Sequence, residues 1–130
     1  MITVSVKSSA RTEMIDITGN VQNEIERAAF EDGLCVLYVP HTTAAVTINE
    51  GADPAVKSDI LMELDRTIPM QDGYRHMEGN SAAHIKASLV GPEQLVLVEN
   101  GKLVLGTWQR LFFCEFDGPR TRKLHIKLMG

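Results

Sequence analysis

The sequence predicts one α+β domain over residues 1–130, mostly antiparallel β-sheet packed with about three helices. Two observations point there. The opening, centre and final third hold short apolar runs or strictly alternating residues, the marks of strands, and Asn100-Gly101 supplies the turn pair that closes tight hairpins. Between them lie three segments whose apolar residues recur at helical spacing. No repeat, low-complexity tract or linker divides the 130 residues, and a chain of this length buries one core rather than two.

Ile2, Val4 and Val6 alternate with Thr3, Ser5 and Lys7, and Met14 to Ile17 forms a second short strand, so the chain is expected to open as a hairpin. From Thr18 to Asp32 the period changes to that of a helix, with Val21, Ile25, Ala28 and Ala29 on one face and Gly33 as the stop. Leu34 to Val39 is a continuous apolar run suited to an interior strand, ended by Pro40, and Ala44 to Asn49 resumes as a strand. Asp53-Pro54 provides an N-cap and a proline at the first helical position, before the stripe Val56, Ile60, Leu61 and Leu64. A polar loop from Asp72 to Gly79 leads into a short helix capped by Asn80 or Ser81 and reaching Leu89. Its expected apolar stripe is Ala82, Ile85 and Leu89. The remainder reads as β: Leu95 to Val98, Lys102 to Leu105, Trp108 to Phe116 and Thr121 to Leu128.

Hydrophobic residues are 44% of the chain and charged residues 23%, a globular balance. Thirteen basic against seventeen acidic residues leave a net charge of -4, which gives no electrostatic reason to expect nucleic acid or an anionic membrane as partner. No apolar run approaches the roughly 20 residues needed to cross a bilayer, and the N-terminus lacks a signal-peptide pattern, so a soluble cytoplasmic protein is expected. Cys35 and Cys114 lie inside apolar runs without the spacing of a zinc ribbon or redox pair, and are expected as buried thiols in a reducing compartment.

Chemistry concentrates around three of the four histidines. If its strand runs unbroken back to His41, HTTAAVTINE puts His41, Thr43, Thr47 and Asn49 on a polar face opposite Ala44, Val46 and Ile48. Glu50 follows at the strand end. His84 projects away from the expected stripe of the short helix, and His76 stands in the polar loop that leads into it. Neutral imidazoles are common zinc ligands, so His41, His76 and His84 form a candidate three-ligand set with an open position; a structural metal, or no metal, fits the spacing equally well. His125 has the parity of a surface residue. Glu115 falls in an apolar run expected to be buried on both faces, so its charge must be paired, ligand-bound or lost. Asp117-Gly118-Pro119-Arg120 reads as a turn. Arg120 with Arg122 either forms a fork for carboxylate or phosphate, or Arg120 pairs with Glu115.

HTTAAVTINE, YRHMEGNSAAHIKASLVG and GKLVLGTWQRLFFCEFDGPRTRKLHI, in this order, resemble the YjbQ-like family, also called secondary thiamine-phosphate synthases, over nearly the whole chain. The resemblance implies an α+β YjbQ-like fold assembled as a homotrimer, with the histidine motifs in a cleft near subunit contacts. It matches the family's strand histidine to His41, with Thr42, Thr43, Asn49 and Glu50, and its loop and helix histidines to His76 and His84. Its later motifs fall on Trp108, Gln109, Glu115, Asp117 and Arg120. Many members carry acidic residues between the two histidines, where this chain has Glu78-Gly79-Asn80. The implied activity couples a hydroxymethylpyrimidine diphosphate to a thiazole phosphate, with release of pyrophosphate. Arg120 and Arg75 are then the diphosphate clamps, Glu50 or Glu115 the proton carrier or orienter of a histidine, and a divalent zinc or magnesium ion the cofactor, with no organic cofactor. The expected partner is a small phosphorylated molecule; the other expectation is a trimeric binder of metal or phosphate ligands without turnover.

Overall fold

The alternating and continuous apolar runs become eight strands, and the helical segments three helices, in a computed structural model that describes residues 1–130. In chain order these are β1 (Ile2–Lys7), β2 (Glu13–Asp16), α1 (Thr18–Arg27), β3 (Gly33–Tyr38), β4 (Ala44–Glu50) and α2 (Pro54–Thr67). Then come α3 (Ser81–Val90), β5 (Glu93–Glu99), β6 (Lys102–Leu103), β7 (Gln109–Glu115) and β8 (Thr121–Met129). All strand pairs are antiparallel. They form a five-stranded sheet of order β1-β8-β3-β5-β6 and a three-stranded sheet of order β2-β7-β4.

The sheets face each other across the main core. Cys35 and Leu37 of β3, Val96 and Val98 of β5, and Leu124 and Ile126 of β8 meet Val46 of β4 and Leu111 and Phe113 of β7, with Val21 and Ile25 of α1 packed alongside. Behind the three-stranded sheet a second core joins Ala45, Phe112 and Cys114 to Ala83 and Ala87 of α3, with Ile60, Leu61 and Leu64 of α2 half-buried against it. β7 is therefore buried on both faces, as its unbroken apolar run predicts. The free thiols are both buried; burial pushes Cys35 up to about 11 and Cys114 up to about 12.

Local signals held where a residue dictates the backbone. Asp53 accepts from the Ala55 amide at 2.9 Å ahead of Pro54, and Asn100 and Gly101 take φ of 53° and 75°, the left-handed pair that a tight hairpin between β5 and β6 requires. Five expectations fail in whole or in part. β1 and β2 do not form a hairpin: β1 lies on β8 and β2 on β7, because the inner residues of each complete different sheets. The polar face expected on β4 is covered at its start, since α3 packs on that sheet and Ala45 is fully buried, while Thr47 is half-buried and Asn49 exposed. α3 turns Ala82, Ala83, Lys86 and Ala87 inward and leaves Ile85 and Leu89 exposed, because only small residues allow the helix to approach the sheet closely. Finally, α1 stops at Arg27, where Ala29 takes a left-handed φ of 51°, and β6 spans two residues.

Candidate functional site

Four connections meet at one end of the molecule: residues 8–12 after β1, 39–43 between β3 and β4, 73–80 before α3, and 116–120 between β7 and β8. They enclose a cleft of about 510 Å³ with no hydrophobic side chain in its lining. His76 and Glu78 come from the loop before α3 and His84 from its second turn. Arg11, Asp117 and Arg120 come from the other loops, with Thr42 and Thr43 as the floor.

Asp117 organises this cleft. Its Oδ2 accepts from Asn80 Nδ2 at 2.9 Å and from Arg120 Nη2 at 3.0 Å, while its Oδ1 lies 3.5 Å from Arg11 Nη1. Two half-exposed guanidinium groups thus flank one carboxylate, and Glu78 adds a second acidic group to the lining. Asn80 occupies the N-cap position of α3 but turns its side chain to Asp117, and its buried Oδ1 has no partner.

Under the loop lies a closed ionic node. Glu115 is 0% exposed and Arg122 2% exposed. Arg122 donates to Glu115 through Nε at 2.9 Å and Nη2 at 2.5 Å, and its Nη2 also donates to Thr43 Oγ1 at 2.8 Å. Glu115 Oε1 accepts from the Ser8 hydroxyl at 2.8 Å and Oε2 from the Asp117 amide at 2.9 Å, while Ser8 Oγ accepts from the Arg120 amide at 2.9 Å. Burial by itself would raise the Glu115 carboxyl, but the Arg122 hydrogen bond, the Asp117 amide and the Ser8 hydroxyl outweigh it and hold the group below the usual carboxylate range. Glu115 therefore meets the expectation that its charge is paired. Its partner is Arg122 rather than Arg120, because Arg122 shares the inward parity of Leu124 and Ile126. With Arg122 spent here, Arg120 and Arg122 do not form a joint fork; Glu115 fixes the backbone of residues 117–120 and does not line either cleft.

His76 and His84 meet edge to face with ring centres 5.3 Å apart. Two imidazoles on one zinc, each through a bond of about 2.1 Å, set their ring centres roughly 5 Å apart, the separation this pair has. No three histidine, cysteine, aspartate or glutamate side chains converge closely enough to hold an ion between them.

His41 stands apart. It lines an adjoining cleft of about 690 Å³ with Tyr38, Pro92 and Arg122, and the two clefts share Thr42, Thr43 and Arg120. The structure thus brings His76 and His84 together and places His41 in the adjoining cleft. Arg75 lies beside His76 on the outer side of α3 with Tyr74 and Ile85. Asn49, Glu50, Trp108 and Gln109 collect elsewhere: Glu50 pairs with Gln109 at one end of the β4–β7 ladder and Ala44 with Glu115 at the other, about 20 Å away at strand rise. Within one chain, they do not join the histidine cleft. Sequence reasoning missed Arg11 and Asn80; the only signal for Arg11 is that it is the sole basic residue in the polar gap between β1 and β2.

The family described as UPF0047 protein YjbQ-like matches residues 2–130. The chain belongs to this family. It is 54% identical over 129 residues to the UPF0047 protein YugU of Bacillus subtilis, covering 98% of each chain. A UPF0047 protein of Methanocaldococcus jannaschii is 50% identical over 125 residues, 96% of this chain and 91% of the relative. Among solved structures, a YjbQ/UPF0047-family protein of Clostridium acetobutylicum superposes with a TM-score of 0.97 at 51% identity, covering 99% of this chain and 100% of that one. A protein of Sulfolobus solfataricus keeps a TM-score of 0.94 at 32% identity, covering 99% and 95%. The family's fold is therefore this chain's fold, two facing antiparallel sheets with three helices. No helix is long and apolar enough to cross a membrane.

Proposed function

We propose that the chain is a small-molecule enzyme of the thiamine-phosphate synthase kind, coupling a hydroxymethylpyrimidine diphosphate to a thiazole phosphate and releasing pyrophosphate. One observation carries this reading: two clefts adjoin, one lined without any hydrophobic side chain, and Arg120 belongs to both. Two anionic reactants then lie side by side with a shared guanidinium between them. As the thiazole attacks, the bond from carbon to the diphosphate oxygen breaks and that oxygen takes the electron pair, so Arg120 and Arg11 stabilise charge where it develops. His76 and His84 are the residues that would hold a divalent ion, which when bound supplies Lewis-acid stabilisation of the departing diphosphate. Asp117 keeps both arginines in place.

The reading includes a homotrimer. The outer face of the five-stranded sheet has no helix over it, and its β3–β5 half is apolar: Leu95 and Leu97 are 55% and 54% exposed, beside Tyr38 and Met129. Such a patch on an antiparallel sheet face marks a contact surface, and Tyr38 carries it to the rim of the His41 cleft. The test is a pyrophosphate-release assay with both substrates and magnesium. Turnover that falls at least tenfold in Arg120→Ala supports the enzyme; thermal stabilisation by either substrate with no product formed overturns it in favour of a binding protein.

A further inference from the structure

The ladder between β3 and β8 ends at Tyr38 opposite His125, and Pro40 turns the chain away before Lys123 is reached. The amide of Lys123 is thereby left without a strand partner on that side. His41 supplies one: the Lys123 N–H donates to His41 Nε2 at 2.9 Å. A backbone amide can only donate, so Nε2 must be the unprotonated, accepting nitrogen, and in a neutral ring the proton then resides on Nδ1. His41 Nδ1 has no protein partner, and the ring lines the cleft it shares with Arg120.

We infer that His41 works as a neutral imidazole whose Nδ1–H donates to an anionic oxygen of the bound ligand, with Nε2 spent on the sheet and so withheld from metal ligation and proton abstraction. The charged groups facing the ring favour the neutral form: burial lowers its pKa, Arg122, Arg120 and Lys123 lower it further, and Glu115 offsets them only in part. The ligand half of this inference rests on the anion-binding reading of the clefts; the tautomer does not. It narrows the chemistry of that cleft to an anionic oxygen acceptor, such as a phosphate or diphosphate oxygen, that meets Arg120 and one neutral donor together.

Long-range proton–nitrogen NMR of the ring nitrogens at pH 7.5, with His41 assigned by its loss in His41→Asn, reads the tautomer in the unliganded protein. A protonated Nδ1 with a bare Nε2 is expected. The opposite tautomer, or an imidazolium, overturns the inference. Pyrophosphate is then titrated into wild type, His41→Asn and His41→Gln. The Nδ1 proton is expected to shift on binding. His41→Gln, whose amide oxygen reaches for the Lys123 amide but leaves no donor at the Nδ1 position, is expected to bind roughly tenfold or more weakly. His41→Asn, which keeps a donor near Nδ1, is expected to bind more tightly than His41→Gln. Pyrophosphate that binds without moving the His41 resonances, or equally to all three proteins, overturns the donor role. Failure of wild type to bind pyrophosphate overturns the anion-site reading and the ligand half with it, while the unliganded spectrum still decides the tautomer.

Discussion

Replacing Arg122 by methionine removes the cation from the buried node at nearly constant volume and leaves the Glu115 carboxylate with only the Ser8 hydroxyl and the Asp117 amide. An uncompensated buried charge of this kind costs about 3–5 kcal/mol. For a chain of 130 residues each kcal/mol corresponds to roughly 3–5 °C in Tm, so a fall of about 10–20 °C is expected. Glu115→Gln in the wild-type background also destabilises, since it breaks the same pair from the other side. In the Arg122→Met background it should instead recover stability, because it abolishes the orphaned charge and still offers an oxygen to Ser8 or Asp117. Urea unfolding of the four proteins gives the cycle. The reasoning is refuted if Arg122→Met stays within about 1 kcal/mol of wild type, or if Glu115→Gln costs the same in both backgrounds.

The same node sets a pH dependence. Glu115 has a folded pKa below its unfolded value near 4.5, so its contribution is fully present above that value and is lost as pH falls through the folded pKa. Asp16, where burial is outweighed by its bond from Arg110, acts in the same direction. The urea midpoint of wild type should therefore decline below about pH 5, and less steeply in Glu115→Gln, with parallel curves counting against the assignment. Gly118→Ala should destabilise the protein and weaken pyrophosphate binding together, because a Cβ there would stand 2.3 Å from the Ala10 carbonyl oxygen and 2.7 Å from Ser8 Oγ; calorimetry of both quantities checks it. On the trimer proposed above, Leu97→Lys should lower the mass seen by light scattering from three chains to one, and an unchanged mass would remove the apolar face from the assembly.

Where a residue constrains its own backbone, the sequence was legible: the Asp53 cap, the Pro54 start and the Asn100-Gly101 turn need no partner to be understood. Partnerships between distant elements were not. Alternation shows that Ile2 and Val4 face a core, but says nothing of whether β2 or β8 lies beside them. Helical spacing placed the stripe of α3 on Ala82, Ile85 and Leu89; docking kept Ala82 but added Ala83 and Ala87 in place of the two larger residues, and buried Lys86 is paired with Asp65 on α2. In the site, the loop and helix histidines came together as their spacing suggested. The third did not, since a carbonyl-like role at the broken edge of β3 leaves no trace in residue type or period. Glu115 was recognisable as a buried carboxylate, yet its partner depended on the parity of β8.

The first strand lies against the last, with Thr3 bonded to His125 across 122 residues of chain. Such pairing raises the mean separation of contacts, and folding of chains built this way is slow, since loop-closure entropy must be met before the reward arrives. β8 is also an inner strand, between β1 and β3, so the large sheet stays divided until residues 121–129 have been made. The strand that joins the sheet's two parts is also the one that carries Arg122 to Glu115. A nascent chain stalled before Thr121 exposes the edges of β1 and β3 and lacks the cation of its buried pair, which makes it a substrate for chaperones and proteases rather than a partly working protein.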